Sequence, residues 1–403
     1  VTAASLSPNA VPPHGALILS PMQMLALVVV ACMGFSSQML MPIWVGQIVD
    51  GYGIPAATAG KIASFEMFLV AATSALVSFL IGRVPRVGLT VAGMTLLVVG
   101  NSLCVAFHDV VGLTLCRAAT GIGKGLMVAA LFSLAGQTAN PTRSFAIINA
   151  GYAAFSAIAF LSSPYFVHSL GPEGVFFLTT ALSLIGVAFT PWLPRVGRDA
   201  APARLAPPSL SRIAQSLRGH IAGVIILATF FVYSTAHDCL WVFVERLGAQ
   251  LNIGLPAIGT VLSISALVAV AGPWIANIAE SRFGVTRPLV GGVIAVAASG
   301  VAMAATGNVT VFEIMVPLFA ALSMFTIPYF QGMLGLADSS GGLAAMSLAV
   351  STGGAAFGAL VGAWTIAGGG YPALAPVSLV LFVMVLAALA LMASSRSVAL
   401  PER

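Results

Sequence analysis

The chain has 403 residues, 59% of them hydrophobic and only 7% charged, where a soluble domain carries about 25% charged residues. So few charges cannot cover a water-facing surface, which excludes a soluble enzyme or binding domain and makes lipid the solvent. The net charge of +5 comes from basic residues set singly or in pairs in short loops, without the aromatic-interleaved basic stretch of a nucleic-acid binder.

In chain order, the first twenty residues hold no Lys or Arg and carry Pro8, Pro12 and Pro13. With the apolar run continuing to about residue 49, they read as a disordered lead-in (1–21) rather than a cleaved signal peptide. Twelve apolar stretches follow, each long enough to cross a bilayer as a helix of about 20 residues. They fall at 22–48, 57–81, 88–107, 111–138, 144–168 and 174–193, then at 220–244, 256–279, 288–306, 310–335, 342–367 and 373–394. Between the two sets, residues 194–219 hold five arginines and four prolines and no aromatic residue. That composition buries no core and reads as a linker, with Ser209 to Leu217 as a short interfacial helix. Residues 395–403 form a tail. Ten-residue alternation of the membrane-barrel kind is absent.

The loops on the N-terminal side of the membrane carry Arg83, Arg86, Arg143, the linker arginines, Arg282, Arg287, Arg396 and Arg403. The opposite loops carry Arg246 and, at a span end, Lys61. A bias this large puts both termini in the cytoplasm. Each half also places a basic loop between its second and third spans, IGRVPRVG (81–88) and ESRFGVTRP (280–288). Weak symmetry of this kind is the mark of a transporter built from repeats, with the substrate at the midplane.

Six plus six spans, a long basic linker, basic 2–3 and 8–9 loops and the fourth-span stretch LCRAATGIGKG (115–125) together resemble the major facilitator superfamily over essentially the whole chain. The resemblance implies an all-α integral membrane protein of two six-helix bundles related by a pseudo-twofold axis. It implies a functional monomer working by alternating access, with Arg83, Arg86, Arg282 and Arg287 in cytoplasmic gating loops. GRVPR (82–86) lacks the acid that usually precedes the basic residues of that loop motif, and the fifth span has no Gly-Pro pair.

In that fold the third, sixth, ninth and twelfth helices pack outside the cavity, and those four spans contain no Asp, Glu, Lys, Arg or His. Charges at membrane depth mark pathways and coupling sites. Here they are Glu66 on the second span and Arg117 and Lys124 on the fourth. Glu66 lies about 14 Å below the outer face, between Arg117 at about 9 Å and Lys124 at about 20 Å. Seven residues are two helical turns, so the cations share a face, and one carboxylate reaches either but offsets only one. Glu66 is the expected proton carrier, and the resemblance implies a role for Arg117 in proton coupling beside it. Lys124, Arg117 and Glu66, with Phe35, Met39, Phe155, Phe230 and Tyr329, are the expected substrate contacts, and the leftover positive charge favours an anionic group. Asp238 and Glu313 are read as an outer gate.

TGIGKG (120–125) is not a phosphate loop, because Ala118 and Gly125 stand where Gly and Ser or Thr are needed. Neither HExxH, GxSxG nor a carboxylate-rich metal loop occurs, so no catalytic residue, metal or cofactor is expected. The four cysteines have neither zinc nor disulfide spacing. The expected partners are a small-molecule substrate, protons and the lipid bilayer. The Ala-rich, Arg-over-Lys usage points to a bacterial inner membrane. The function that follows is secondary active transport of a small organic solute, with an anionic or amphipathic substrate favoured. Broad-specificity proton-driven drug or metabolite efflux and, more remotely, a non-transporting sensor are the alternatives.

Overall fold

The computed structural model describes residues 17–80, 84–195, 221–337 and 342–394. Arg83, most of the linker with Ser209 to Leu217, and the tail 395–403 lie outside the described residues. Among the described residues, twelve helices are long and apolar enough to span a membrane. We label them α1 (Pro21–Asp50), α2 (Ala56–Ser78), α3 (Arg86–Ala106), α4 (Val110–Gly136), α5 (Arg143–Leu170), α6 (Gly174–Trp192), α7 (Ala222–Gln250), α8 (Leu255–Phe283), α9 (Thr286–Ala305), α10 (Val309–Leu334), α11 (Met346–Gly369) and α12 (Tyr371–Ala393). In lipid the backbone must satisfy its own hydrogen bonds, which leaves the helix as the form such apolar runs can take.

The end of the lead-in differs from the sequence expectation of a disordered segment. Leu17 donates its amide to Gln137 O (2.9 Å) and accepts from Ala139 N (2.8 Å). Ser20 and Gln23 then form a capping box that starts α1 at Pro21. The backbone pairing with the α4–α5 loop is what orders these residues.

Because spans alternate in direction, the ordered chain ends and the 136–141 and 283–286 turns share one face, here the terminal face. The turns at 51–55, 107–109, 171–173, 251–254 and 306–308 share the far face. Packing repeats with a period of six helices: α2 and α3 on α4 match α8 and α9 on α10, α1 on α5 matches α7 on α11, and α3 on α6 matches α9 on α12.

The halves meet through α2 against α11, α5 against α8, and the ends of α1 and α7. These joints crowd towards the far face. Ser64 Oγ donates to Ala356 O (2.7 Å), Gly60 packs on Phe243 and Ala363, and Gly259 packs on Phe160 and Pro164. A separate apolar cluster around Leu27, Met94, Met127 and Ile148 belongs to the first half alone.

Glycines set how closely α4 packs. A side chain at Gly121 would come 2.6 Å from Glu66 O on α2, and one at Gly123 2.6 Å from Gly93 O on α3. Both neighbours are backbone, which cannot step aside as a side-chain tip can. Gly121→Leu is expected to destabilise the protein by about 1–3 kcal/mol, seen as a lower unfolding temperature in detergent. An unchanged midpoint would show that α4 is not held this tightly.

Candidate functional site

The close approach of α2 and α4 drops Glu66 between the two cations. Lys124 Nζ donates to Glu66 Oε1 at 3.0 Å, and Arg117 Nη1 lies 3.5 Å from Glu66 Oε2. Each carboxylate oxygen thus faces its own cation, and all three side chains are at most 1% exposed. Ser37 of α1 donates its hydroxyl to the same Oε1 at 3.2 Å.

Arg117 is held from three further helices. Its Nη2 donates to Asn101 Oδ1 on α3. Asn101 Nδ2 donates to Ser183 Oγ on α6 at 3.2 Å, and Ser183 in turn donates to Thr179 O. The guanidinium carbon sits 5.2 Å from the Trp44 ring centre and 5.4 Å from that of Phe176, within cation–π range. Trp44 reaches this place because α1 breaks at Leu40, with Pro42 starting its second segment. Its Nε1 donates across the break to Ser37 O at 2.9 Å.

Two cations and one carboxylate leave the cluster with one formal positive charge in excess. Glu66 Oε2 and the Nε and Nη1 of Arg117 are buried and make no hydrogen bond among the described residues. Oε2 and Nη1 face each other as the 3.5 Å ion pair, and buried polar atoms are normally paired, so the Arg117 Nε is the donor left open to a further polar group.

The other residues singled out in the sequence are spread over both halves. Half-buried Phe35 packs on Phe132 and Tyr152, Phe155 is half-buried on α5, and Met39 is buried at the α1 break. Phe230 stacks on Phe330 with ring centres 5.1 Å apart, and Tyr329 donates to Ala276 O at 2.7 Å. Both are buried in the second half. Asp238 pairs with His237 (3.2 Å), whose ring lies flat on Phe319 at 4.8 Å. Glu313 is exposed at the start of α10. Among the described residues, neither Asp238 nor Glu313 bridges the halves through an ion pair. Arg86 Nε donates to Ser133 Oγ at 2.9 Å, while Arg282 and Arg287 are exposed.

An ionic bridge joins the halves near the Asp238 end of α7, and its acid, Asp50, is the member the sequence reading did not name. Arg246 of α7 forks onto Asp50 of α1, with Nη1–Oδ1 at 2.6 Å and Nη2–Oδ2 at 2.7 Å. It also holds its neighbour Glu245 through Nε at 2.6 Å. Gly46 makes room, because any side chain there would meet the Glu245 carboxylate. An acid at the end of a span, in VDGYG (49–53), was the available signal. In the adjoining turn, Tyr52 stacks on His108 at 4.3 Å and donates to Cys104 O. Burial, then the nearby Glu173 carboxylate, hold its phenol above the usual tyrosine range, so it serves as a neutral donor.

Residues 26–343 match the sequence profile of the Major Facilitator Superfamily. The chain belongs to the major facilitator superfamily. Solved structures of this superfamily fold superpose on it. The nucleoside transporter NupG gives a TM-score of 0.79 at 13% identity, covering 94% of this chain and 100% of that one. A bacterial homologue of the human lysosomal transporter Spinster, in an inward-facing and unoccupied conformation, gives 0.70 at 12% identity over 92% and 97%. The human organic anion transporter MFSD10 (TETRAN) gives 0.61 at 16% identity over 92% and 100%. At these identities the likeness is one of fold. No curated protein matched the chain in sequence.

The arrangement predicts unequal costs for removing its members. Glu66→Gln leaves Lys124 and Arg117 facing each other unpaired and is expected to cost about 3–5 kcal/mol. Lys124→Met keeps Glu66 paired with Arg117 and is expected to cost less, and the double variant is expected to recover part of the Glu66→Gln loss. Unfolding of the three variants in detergent measures this. Additive losses would contradict a shared carboxylate.

Proposed function

We propose that this superfamily member is a proton-coupled secondary transporter of a small organic solute bearing an anionic or polar group. The observation that carries the reading is the buried excess positive charge of the Glu66–Lys124–Arg117 cluster, with Arg117 Nε buried and without a hydrogen bond. Intramembrane ionisable groups of this kind serve ion and substrate pathways.

The chemistry follows from the shared carboxylate. Glu66 is the proton carrier. A proton on it removes the anion that both cations use, leaving Lys124 and Arg117 with donors to spare. A substrate carboxylate or phosphate answers that demand, and its departure returns the cations to an ionised Glu66. Phe35, Met39 and Phe155, on the first-half helices α1 and α5, supply apolar contact for the body of the solute.

The basic loops support placing the terminal face in the cytoplasm, in a bacterial inner membrane. The far face is then the outer one, and the crowding of inter-half contacts there supports an inward-facing state. Asp50, Arg246 and Glu245 act as its outer latch. Arg246 is buried while Asp50 is 61% exposed, so the bidentate geometry fixes the contact and water at Asp50 lets it break as a unit.

The test is proton flux in proteoliposomes loaded with a pH dye and challenged with organic anions, lipophilic cations and neutral sugars. Anions are expected to drive proton movement that is lost in Glu66→Gln and in Lys124→Met. A response to lipophilic cations that survives Lys124→Met would overturn the anion reading in favour of broad drug efflux.

Loosening the latch is expected to favour the outward-facing state. In Asp50→Asn, a cysteine placed at the buried Gln47 should be labelled by an impermeant thiol reagent from outside several-fold faster than in the parent background. Equal rates would remove Asp50 from the latch.

A further inference from the structure

On the terminal-face end of the second half, α8 and α9 diverge from a tight turn at Gly284, which takes φ +71°. Between them runs a groove of about 350 Å³, walled by Phe283 of α8 and Gly291 and Ala295 of α9, floored by Leu322 and Phe325 of α10, with Arg287 at its rim. The groove exists because α9 has no side chains where it would close. At Gly292 the helix rests on Phe325 and Thr326, while a side chain at the adjacent Gly291 would meet no atom within 4 Å. The surroundings face lipid: Trp274 is 74% exposed and Ile275, Ile278 and Ile294 are each more than half exposed.

Arg287 stands in the first turn of α9, at the depth where hydrocarbon gives way to headgroups. It has no ion-pair or hydrogen-bond partner among the described residues. Arg282, one turn beyond the groove-lining Ala279, adds positive charge at the same end. The nearest acid along the chain, Glu280, lies one turn from Ala276, whose carbonyl holds Tyr329, and so follows the face turned towards α10. An apolar furrow below an unpaired guanidinium fits one kind of occupant, a molecule with an acyl chain and a phosphate at its end. We infer that this groove seats an anionic glycerophospholipid, with an acyl chain along Gly291 and Ala295 and the headgroup phosphate on Arg287. The site is separate from the Glu66 cluster and stands whether or not the transport reading does.

The full chain, purified in mild detergent, is offered an equal mixture of phosphatidylglycerol and phosphatidylcholine with matched acyl chains. Bound lipid is then read by native mass spectrometry. Phosphatidylglycerol is expected to be retained about fivefold over phosphatidylcholine, the preference one arginine gives at a headgroup. Arg287→Gln, a surface change, should bring the ratio close to one. Gly291→Leu, whose Cβ would meet no atom within 4 Å, fills the furrow and should lower retention of both lipids. Equal retention of the two lipids by the parent protein, or a preference that survives both variants, would overturn the assignment. Displacement of phosphatidylglycerol by excess inorganic phosphate would also overturn it, by showing a free-anion site instead of a lipid seat.

Discussion

One carboxylate shared by two cations, out of reach of water, is the constraint on which the first half depends. Glu66 holds Lys124 at 3.0 Å and Arg117 at 3.5 Å. Charges at this depth are costly unless paired, so the packing around them has little latitude. α4 lies against α2 because Gly121 has no side chain. α3 and α6 are tied in through Asn101 and Ser183, and α1 through Ser37 and Trp44. Five of the six helices in this half thus answer to a single ionised group.

The second half repeats the helix packing without repeating the chemistry. α8 and α10 stand to each other as α2 and α4 do, yet Glu313 of α10 is exposed near its helix end. At the core of this half are aromatic rings, Phe230 and Tyr233 against Phe330, with the His237–Asp238 pair on Phe319. The two halves therefore differ in what fills their cores, an ion cluster in one and stacked rings in the other, despite their common topology.

The spans were legible because lipid imposes a blunt rule on composition, and the twelve apolar stretches lie within a few residues of the helices. The third, sixth, ninth and twelfth spans carry no Asp, Glu, Lys, Arg or His, and α3 and α6 meet the cluster through the neutral Asn101 and Ser183. The seven-residue spacing of Arg117 and Lys124 put both on one face, since it is a property of a single helix. Two things were not legible. That Glu66 would face both cations, one on each oxygen, depends on how closely Gly121 lets two helices approach. That Arg246 would find Asp50, 196 positions earlier in the chain, depends on how the halves dock, and neither residue carries a local signal for the other.

These two features meet in α1. Ser37 touches Glu66, Trp44 lies over Arg117, and Asp50 holds Arg246, so contacts to the cluster and to the inter-half bridge are spaced along one helix at intervals of about two turns. The break at Leu40 divides it, and the Trp44–Ser37 hydrogen bond spans the division. The segment beyond the break carries both the aromatic cover of Arg117 and the carboxylate of the bridge. A change in the position of Arg117, such as loss of its charge partner would bring, acts on Trp44 as well as on Phe176 and Asn101. Trp44 cannot shift as a rigid part of that segment without moving Asp50, which lies six residues along the same helix. Linkage between a buried charge and a distant gate requires an element with two arrangements that both sites bias. The far segment of α1, hinged at Leu40 and Pro42, has the contacts that such an element needs.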